Sequence, residues 1–139
     1  LAYAEVHDDE QAATVTGFVE RALAFFASHG IVAKRLMTDN AFNYVKNRGL
    51  RELLATNEIR HLTTKPYRPQ TNGKAERFIQ SALREWAYPR VYQSSAHRTE
   101  TLEAWIHHYN WHRPHQGIGG LAPMSRLRQS ENNLLTLHT

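Results

Sequence analysis

Ile31-Val32-Ala33-Lys34-Arg35-Leu36-Met37-Thr38-Asp39-Asn40 is the stretch on which the fold turns. Its first eight residues are rich in apolar and β-branched side chains and predict a buried strand over 31–38. The strand stops at an aspartate followed by an asparagine, both of which favour turns. An acid in that position either closes a turn or faces a cleft, because open α/β sheets carry their chemistry at the carboxyl ends of strands. The residues alone leave both roles open for Asp39.

Upstream, Leu1–His7 alternates loosely among strand formers and predicts another strand. Asp8 and Asp9 offer an N-cap, with Gln11 spaced from Asp8 as in a capping box. The helix that follows carries Val15, Phe18, Val19, Ala22, Leu23 and Phe26 on one face and should stop at Gly30. That stripe is a core face rather than a membrane face.

Downstream, residues 44–58 predict a helix interrupted at Gly49, and 59–64 a third strand. Lys65–Gly73 (KPYRPQTNG) has two prolines, an Asn-Gly pair and no apolar period, so it is a loop. From Lys74 to Tyr88, Ala75, Phe78, Ile79, Ala82, Leu83 and Trp86 line one face of a helix that Pro89 ends. Thr99 should cap a last helix bearing Leu102, Trp105, Ile106 and Tyr109, and the tail from about Arg128 reads as frayed. Alternating strands and helices define an α/β class, with a core over 1–127 and a tail over 128–139.

The bulk numbers fit this. The 139 residues are 41% hydrophobic and 22% charged, enough for one domain with a core. No apolar run is long enough to span a bilayer, which argues against a membrane partner. The absence of cysteine removes disulfides and thiolate metal sites and suits a reducing, cytoplasmic setting. The net charge of +4 is unevenly spread: residues 1–33 hold one base and five acids, residues 34–98 thirteen bases and five acids. A basic middle suits phosphate binding, though a solvated basic face would look the same.

Glu76 is the second acid of interest, in the first turn of the helix after the loop. Alone, it reads as an ordinary acid supporting a helix N-terminus. In combination, a strand-end Asp39 and a helix-start Glu76 converge if the helix folds back over the sheet. Two hard oxygen donors in a cleft suit Mg²⁺ or Mn²⁺, which retain waters and accept phosphate oxygens. Lys65, Tyr67, Arg68, Gln70, Asn72 and Lys74 then supply the cations, amides and ring that a DNA strand would meet.

Asp39-Asn40, the run Lys65–Phe78 (KPYRPQTNGKAERF) and Tyr109–His115 (YNWHRPH) with Pro123 beyond resemble the catalytic core of DDE insertion-sequence transposases and retroviral integrases. The 36 residues between Asp39 and Glu76 are close to the family's spacing. The resemblance runs to about Leu127 and implies a ribonuclease H-like fold with an incomplete mixed sheet. It implies metal-dependent phosphoryl transfer on DNA, in which three acids hold two Mg²⁺ ions flanking a phosphate. Asp39 matches the second acid and Glu76 the third. Transposon ends and target DNA would be the partners, with no small-molecule substrate and with homo-oligomers in an intact protein.

The family's first acid has no counterpart here, because Leu1–His7 resembles the family's third strand. Two strands would be wanting beside the one that leads to Asp39. The expectation is therefore an open edge on that strand, low stability and no strand transfer by this chain alone. Where many relatives carry a base seven residues after the glutamate, this chain has Leu83, so DNA contact from the helix falls to Arg77 and Arg84.

His107, His108, His112 and His115 cluster, and His108 and His112 share a helix face, but no glutamate completes a zinc motif. The resemblance makes Tyr109–His115 the end of the last core helix, with DNA contact by Arg113 as a further option. Trp86, Trp105 and Trp111 are expected in the core. Two other readings remain beside the leading one: a DNA-binding remnant without chemistry, and an unrelated nuclease on the same fold.

Overall fold

The computed structural model describes residues 1–64, 73–87, 94–127 and 134–136. In chain order these form α1 (Ala12–Ser28), β1 (Arg35–Thr38), α2 (Phe42–Val45), α3 (Arg48–Thr56) and β2 (Arg60–Thr63). They continue with α4 (Gly73–Ala82), a π-helical turn (Leu83–Ala87), α5 (Ser95–Trp111), two 3₁₀ turns (Gln116–Ile118 and Pro123–Arg126) and β3 (Leu134–Thr136). The chain divides into two compact units, one of His7–Arg77 with Asn133–Thr139, the other of Leu1–Val6 with Phe78–Asn132. The division falls within α4.

In the His7–Arg77 unit, α1 buries Val15, Val19, Ala22 and Phe26, the stripe its sequence spacing predicts. Asp9, not Asp8, supports its start: Asp9 Oδ1 accepts the Gln11 N–H at 2.9 Å and the Thr14 hydroxyl at 2.6 Å. Gly30 stops the helix as expected, at φ +76°, with its N–H on the Ala27 carbonyl. The expected interruption near Gly49 falls instead at Lys46 and Asn47, between α2 and α3. Asn47 is the reason: buried, it accepts the Leu50 N–H at 3.0 Å as N-cap and donates to the Ala12 carbonyl at 2.9 Å. Gly49 lets α3 approach α1, since a Cβ there would lie 3.3 Å from Thr16 Oγ1.

The described sheet has the order β2-β1-β3, with both pairings parallel. β1 is the central strand, and its Leu36 joins Val15, Val19, Ala33, Tyr44, Leu50, Leu54 and Ile59 in one core. Two expectations are corrected here. The β1 edge predicted to be open is paired, Leu36 opposite Leu135, by a strand from the stretch read as frayed tail. Leu135 is partly buried against the same core, which gives this stretch a reason to dock. Leu1–His7 forms no strand.

In the other unit, the Ala2 backbone is held by a side chain instead of a neighbouring strand. Ala2 N–H donates to Asn110 Oδ1 at 2.7 Å and its carbonyl accepts from Asn110 Nδ2 at 2.8 Å. Ala4 and Val6 then pack against a cluster of Trp86, Leu102, Trp105 and Ile106. Ser94, not Thr99, caps α5, accepting the His97 N–H at 3.1 Å. The apolar face of the 74–88 helix holds for Phe78 and Trp86, but Leu83 is 37% exposed. The wider π turn after Ala82 explains this, because it rotates the following residues off a 3.6-residue period. Trp111, expected in the core, is 46% exposed beside the His107 ring. Among the described residues no helix is long and apolar enough to cross a membrane.

Candidate active site

β1 delivers Asp39 past the carboxyl end of the central strand, where its side chain is exposed. Exposure spares Asp39 the cost of burying an unpaired carboxylate. The turn role is present as well: Asp39 Oδ1 accepts the Ala41 N–H at 2.8 Å. Asp39 Oδ2 is not used in that turn, so one carboxylate oxygen stays available to a further partner.

The backbone beneath is fixed to β2 from several sides. Thr64 N–H donates to the Thr38 carbonyl at 2.9 Å, and Asn40 Nδ2 donates to the Thr64 carbonyl at 2.7 Å. Thr38 is 0% exposed, and its hydroxyl lies 2.8 Å from the Asp39 carbonyl and 2.7 Å from His61 Nε2. Burial pushes the His61 pKa down, which favours a neutral ring. Sequence reasoning missed His61. Its signal was a histidine two residues before the end of a strand parallel to β1, in register with Leu36.

Glu76 lies in the first turn of α4, exposed, in the same unit as Asp39. Free N–H groups at a helix start favour an acid there. Lys74 and Arg77 flank it, both exposed. Lys65, Tyr67, Arg68, Gln70 and Asn72 lie outside the described residues. Arg84 is exposed on the π turn, in the other unit.

The donor chemistry of Asp39 and Glu76 fits a hard divalent cation: both are carboxylates open to solvent, and such ions commonly take one or two carboxylates and complete their shell with water and phosphate. Among the described residues no group of three metal-capable side chains forms, at these carboxylates or in the histidine cluster. In that cluster the His108 and His112 rings stack at 6.4 Å and His107 approaches His112 at 5.4 Å.

Residues 109–115 are structural in every described contact. Arg113 forms a two-pronged ion pair with Glu85, its Nε at 2.9 Å from Oε1 and its Nη2 at 2.7 Å from Oε2. The guanidinium also sits 5.7 Å from the centre of the Tyr109 ring, which His115 meets edge-on at 4.7 Å. The pairing with Glu85 gives Arg113 a structural role, beside the option of DNA contact. Beyond it, Gly119 and Gly120 at φ +69° and +78° make the left-handed turn that pairs His115 with Leu121. Asn110 completes the motif through its hold on Ala2, a role invisible without the fold.

Residues 57–123 match the family model described as "Integrase core domain". That range contains Glu76 and residues 109–115 and excludes Asp39. The chain is 25% identical to the protein named "Putative integrase ORF3" of Spiroplasma virus SpV1-C74 over 91% of its own length. It spans only 38% of that relative. Its fold is that of the catalytic core domain of BIV integrase, with a TM-score of 0.66 at 22% identity, covering 93% of this chain and 78% of that one. The likeness in sequence to the integrase core model therefore lies over residues 57–123, and the likeness in fold, an α/β core, over nearly the whole chain.

Proposed function

We propose that this chain is a piece of a transposase or integrase core, acting in DNA integration through phosphoryl transfer on DNA strands. The observation that carries the reading is the exposed Asp39 at the carboxyl end of the central parallel strand, in a chain whose residues 57–123 match the integrase core.

Asp39 and Glu76 are the residues that would hold Mg²⁺ or Mn²⁺, with two ions in an intact enzyme. When bound, such an ion neutralises phosphate charge and polarises the oxygens in flight. The chain's own work is positional. Asp39 has one oxygen bonded to the Ala41 N–H, which restrains its exposed carboxylate and leaves the other oxygen for an ion. Glu76 presents its carboxylate from the first turn of α4. Lys74 and Arg77 contribute cations for backbone phosphates, together with Lys65, Tyr67, Arg68, Gln70 and Asn72 of the preceding loop and Arg84 farther along. Asp39 and Glu76 match two of the three acids that the family resemblance implies, so binding of metal and DNA is the part of the function assigned to these residues. Transposon ends and target are its proposed DNA partners, and homo-oligomers belong to the intact protein.

The test is anisotropy of a labelled duplex titrated with the chain, with and without Mg²⁺. Wild type should bind more tightly with Mg²⁺, and Asp39→Asn or Glu76→Gln should remove that gain while leaving Mg²⁺-free binding intact. Identical Mg²⁺ responses in all three proteins would refute the role given to these acids. Binding with no Mg²⁺ response in wild type would favour the reading as a DNA-binding remnant.

A further inference from the structure

We infer that His61 is a positioning residue for Asp39 and acts through Thr38; its consequence for metal binding rests on the reading of Asp39 given above. Thr38 is fully buried, so its hydroxyl has no water to turn to. The hydroxyl carries one proton and lies within bonding distance of two atoms, the Asp39 carbonyl oxygen and His61 Nε2. The carbonyl can only accept. One arrangement satisfies all three groups: Nε2–H donates to Oγ1, and Oγ1–H donates to the carbonyl. The opposite polarity spends the hydroxyl proton on the ring and strips the carbonyl of this bond. The structure thereby selects the Nε2–H tautomer of a neutral His61, which burial of the ring favours.

The consequence reaches the carboxylate. The Asp39 carbonyl belongs to the peptide plane of the Asp39–Asn40 turn, whose geometry brings the Ala41 N–H onto Asp39 Oδ1. Thr38 holds that plane from below while Asn40 is tied to the Thr64 carbonyl. His61 and Thr64 belong to β2 and the residue after it, so the second strand sets the angle at which the first presents its acid. A purely apolar partner opposite Leu36 would fill the sheet face without fixing the Thr38 rotor. A half-buried imidazole is tolerated because its Nε2 is bonded.

The experiment compares Thr38→Val, Thr38→Ser, His61→Leu and His61→Gln with wild type in the full chain. Serine keeps the hydroxyl, and glutamine keeps a donor near the Nε2 position. The metal-free readout is the carbonyl ¹³C signal of Asp39, expected to move upfield in T38V and H61L and to return toward wild type in T38S and H61Q. The second readout is Mn²⁺ affinity, expected to weaken roughly 10–100-fold in T38V and H61L, the usual effect of losing an outer-shell partner, with rescue in T38S and H61Q. An Asp39 carbonyl signal unchanged in T38V and H61L overturns the inference whatever the metal does. A moved signal with unchanged Mn²⁺ affinity overturns its link to the site. Absence of Mn²⁺ binding by wild type overturns the metal role of Asp39 instead, and the carbonyl signal then decides the role of His61 alone.

Discussion

Replacing Asn110 with alanine should destabilise the unit that contains α5 by about 2–3 kcal/mol, since net losses near 1 kcal/mol for each of two hydrogen bonds are joined by a small cavity. Asn110 is 1% exposed and is bonded to both polar groups of the Ala2 backbone, at 2.7 and 2.8 Å. Its loss removes the anchor of residues 1–6, so Ala4 and Val6 should lift from the cluster around Trp86 and Trp105. Urea unfolding followed by tryptophan fluorescence reads the stability, because two tryptophans sit in that cluster. Hydrogen exchange at the Ala2 amide reads the anchor itself. Removing residues 1–6 from the variant should cost little more, because the segment is already loose. A variant within 0.5 kcal/mol of wild type, with the Ala2 amide equally protected, would refute the clamp.

Three further outcomes follow from described contacts. Arg113 beside Glu85 holds the carboxyl below its usual value, so the pair stabilises fully above the unfolded-state pKa near 4.5 and its contribution is lost as pH falls through the lower folded value. Denaturation midpoints of wild type and Glu85→Gln should therefore differ at pH 7 and converge at low pH, and Arg113→Lys should lose the two-pronged geometry with a similar cost. Glu58 holds φ +57° just after α3, where a side chain is strained, so Glu58→Gly should raise stability by about 0.5–1 kcal/mol in urea unfolding. Lys74→Ala and Arg77→Ala should each reduce the salt dependence of DNA binding by roughly one phosphate contact, measured by anisotropy at stepped salt.

Legibility from the sequence followed the range of the interaction. Local signals were readable: the stripe from Val15 to Phe26, the stop at Gly30, the end at Thr38 of a strand that covers Arg35–Thr38 and not the whole of 31–38, and the burial of Leu102, Trp105 and Ile106. Each depends on neighbours within a few residues. The failures lie where a distant partner decides. Leu1–His7 has strand-forming residues, but Asn110, far along the chain, takes the Ala2 backbone. Leu134–Thr136 looks like tail until β1 offers it an edge. Leu83 was misplaced because a π turn has no periodic signature of its own. The places of Asp39 and Glu76, just past a strand end and at a helix start, were legible from their surroundings, whereas the contact of His61 with Thr38 became visible only when β2 lay beside β1. Lys65, Tyr67, Arg68, Gln70 and Asn72 lie outside the described residues, so the loop is known by its sequence alone.

Mn²⁺ titration of the isotope-labelled chain, with paramagnetic broadening followed at the backbone amides of Asp39 and Glu76, tests the shared-ion claim most directly. Both signals should fade together at the same low Mn²⁺ concentration, and Asp39→Asn should protect Glu76 as well as position 39. Fading of one without the other, or of both only at concentrations that broaden every exposed carboxylate, would contradict a common metal site.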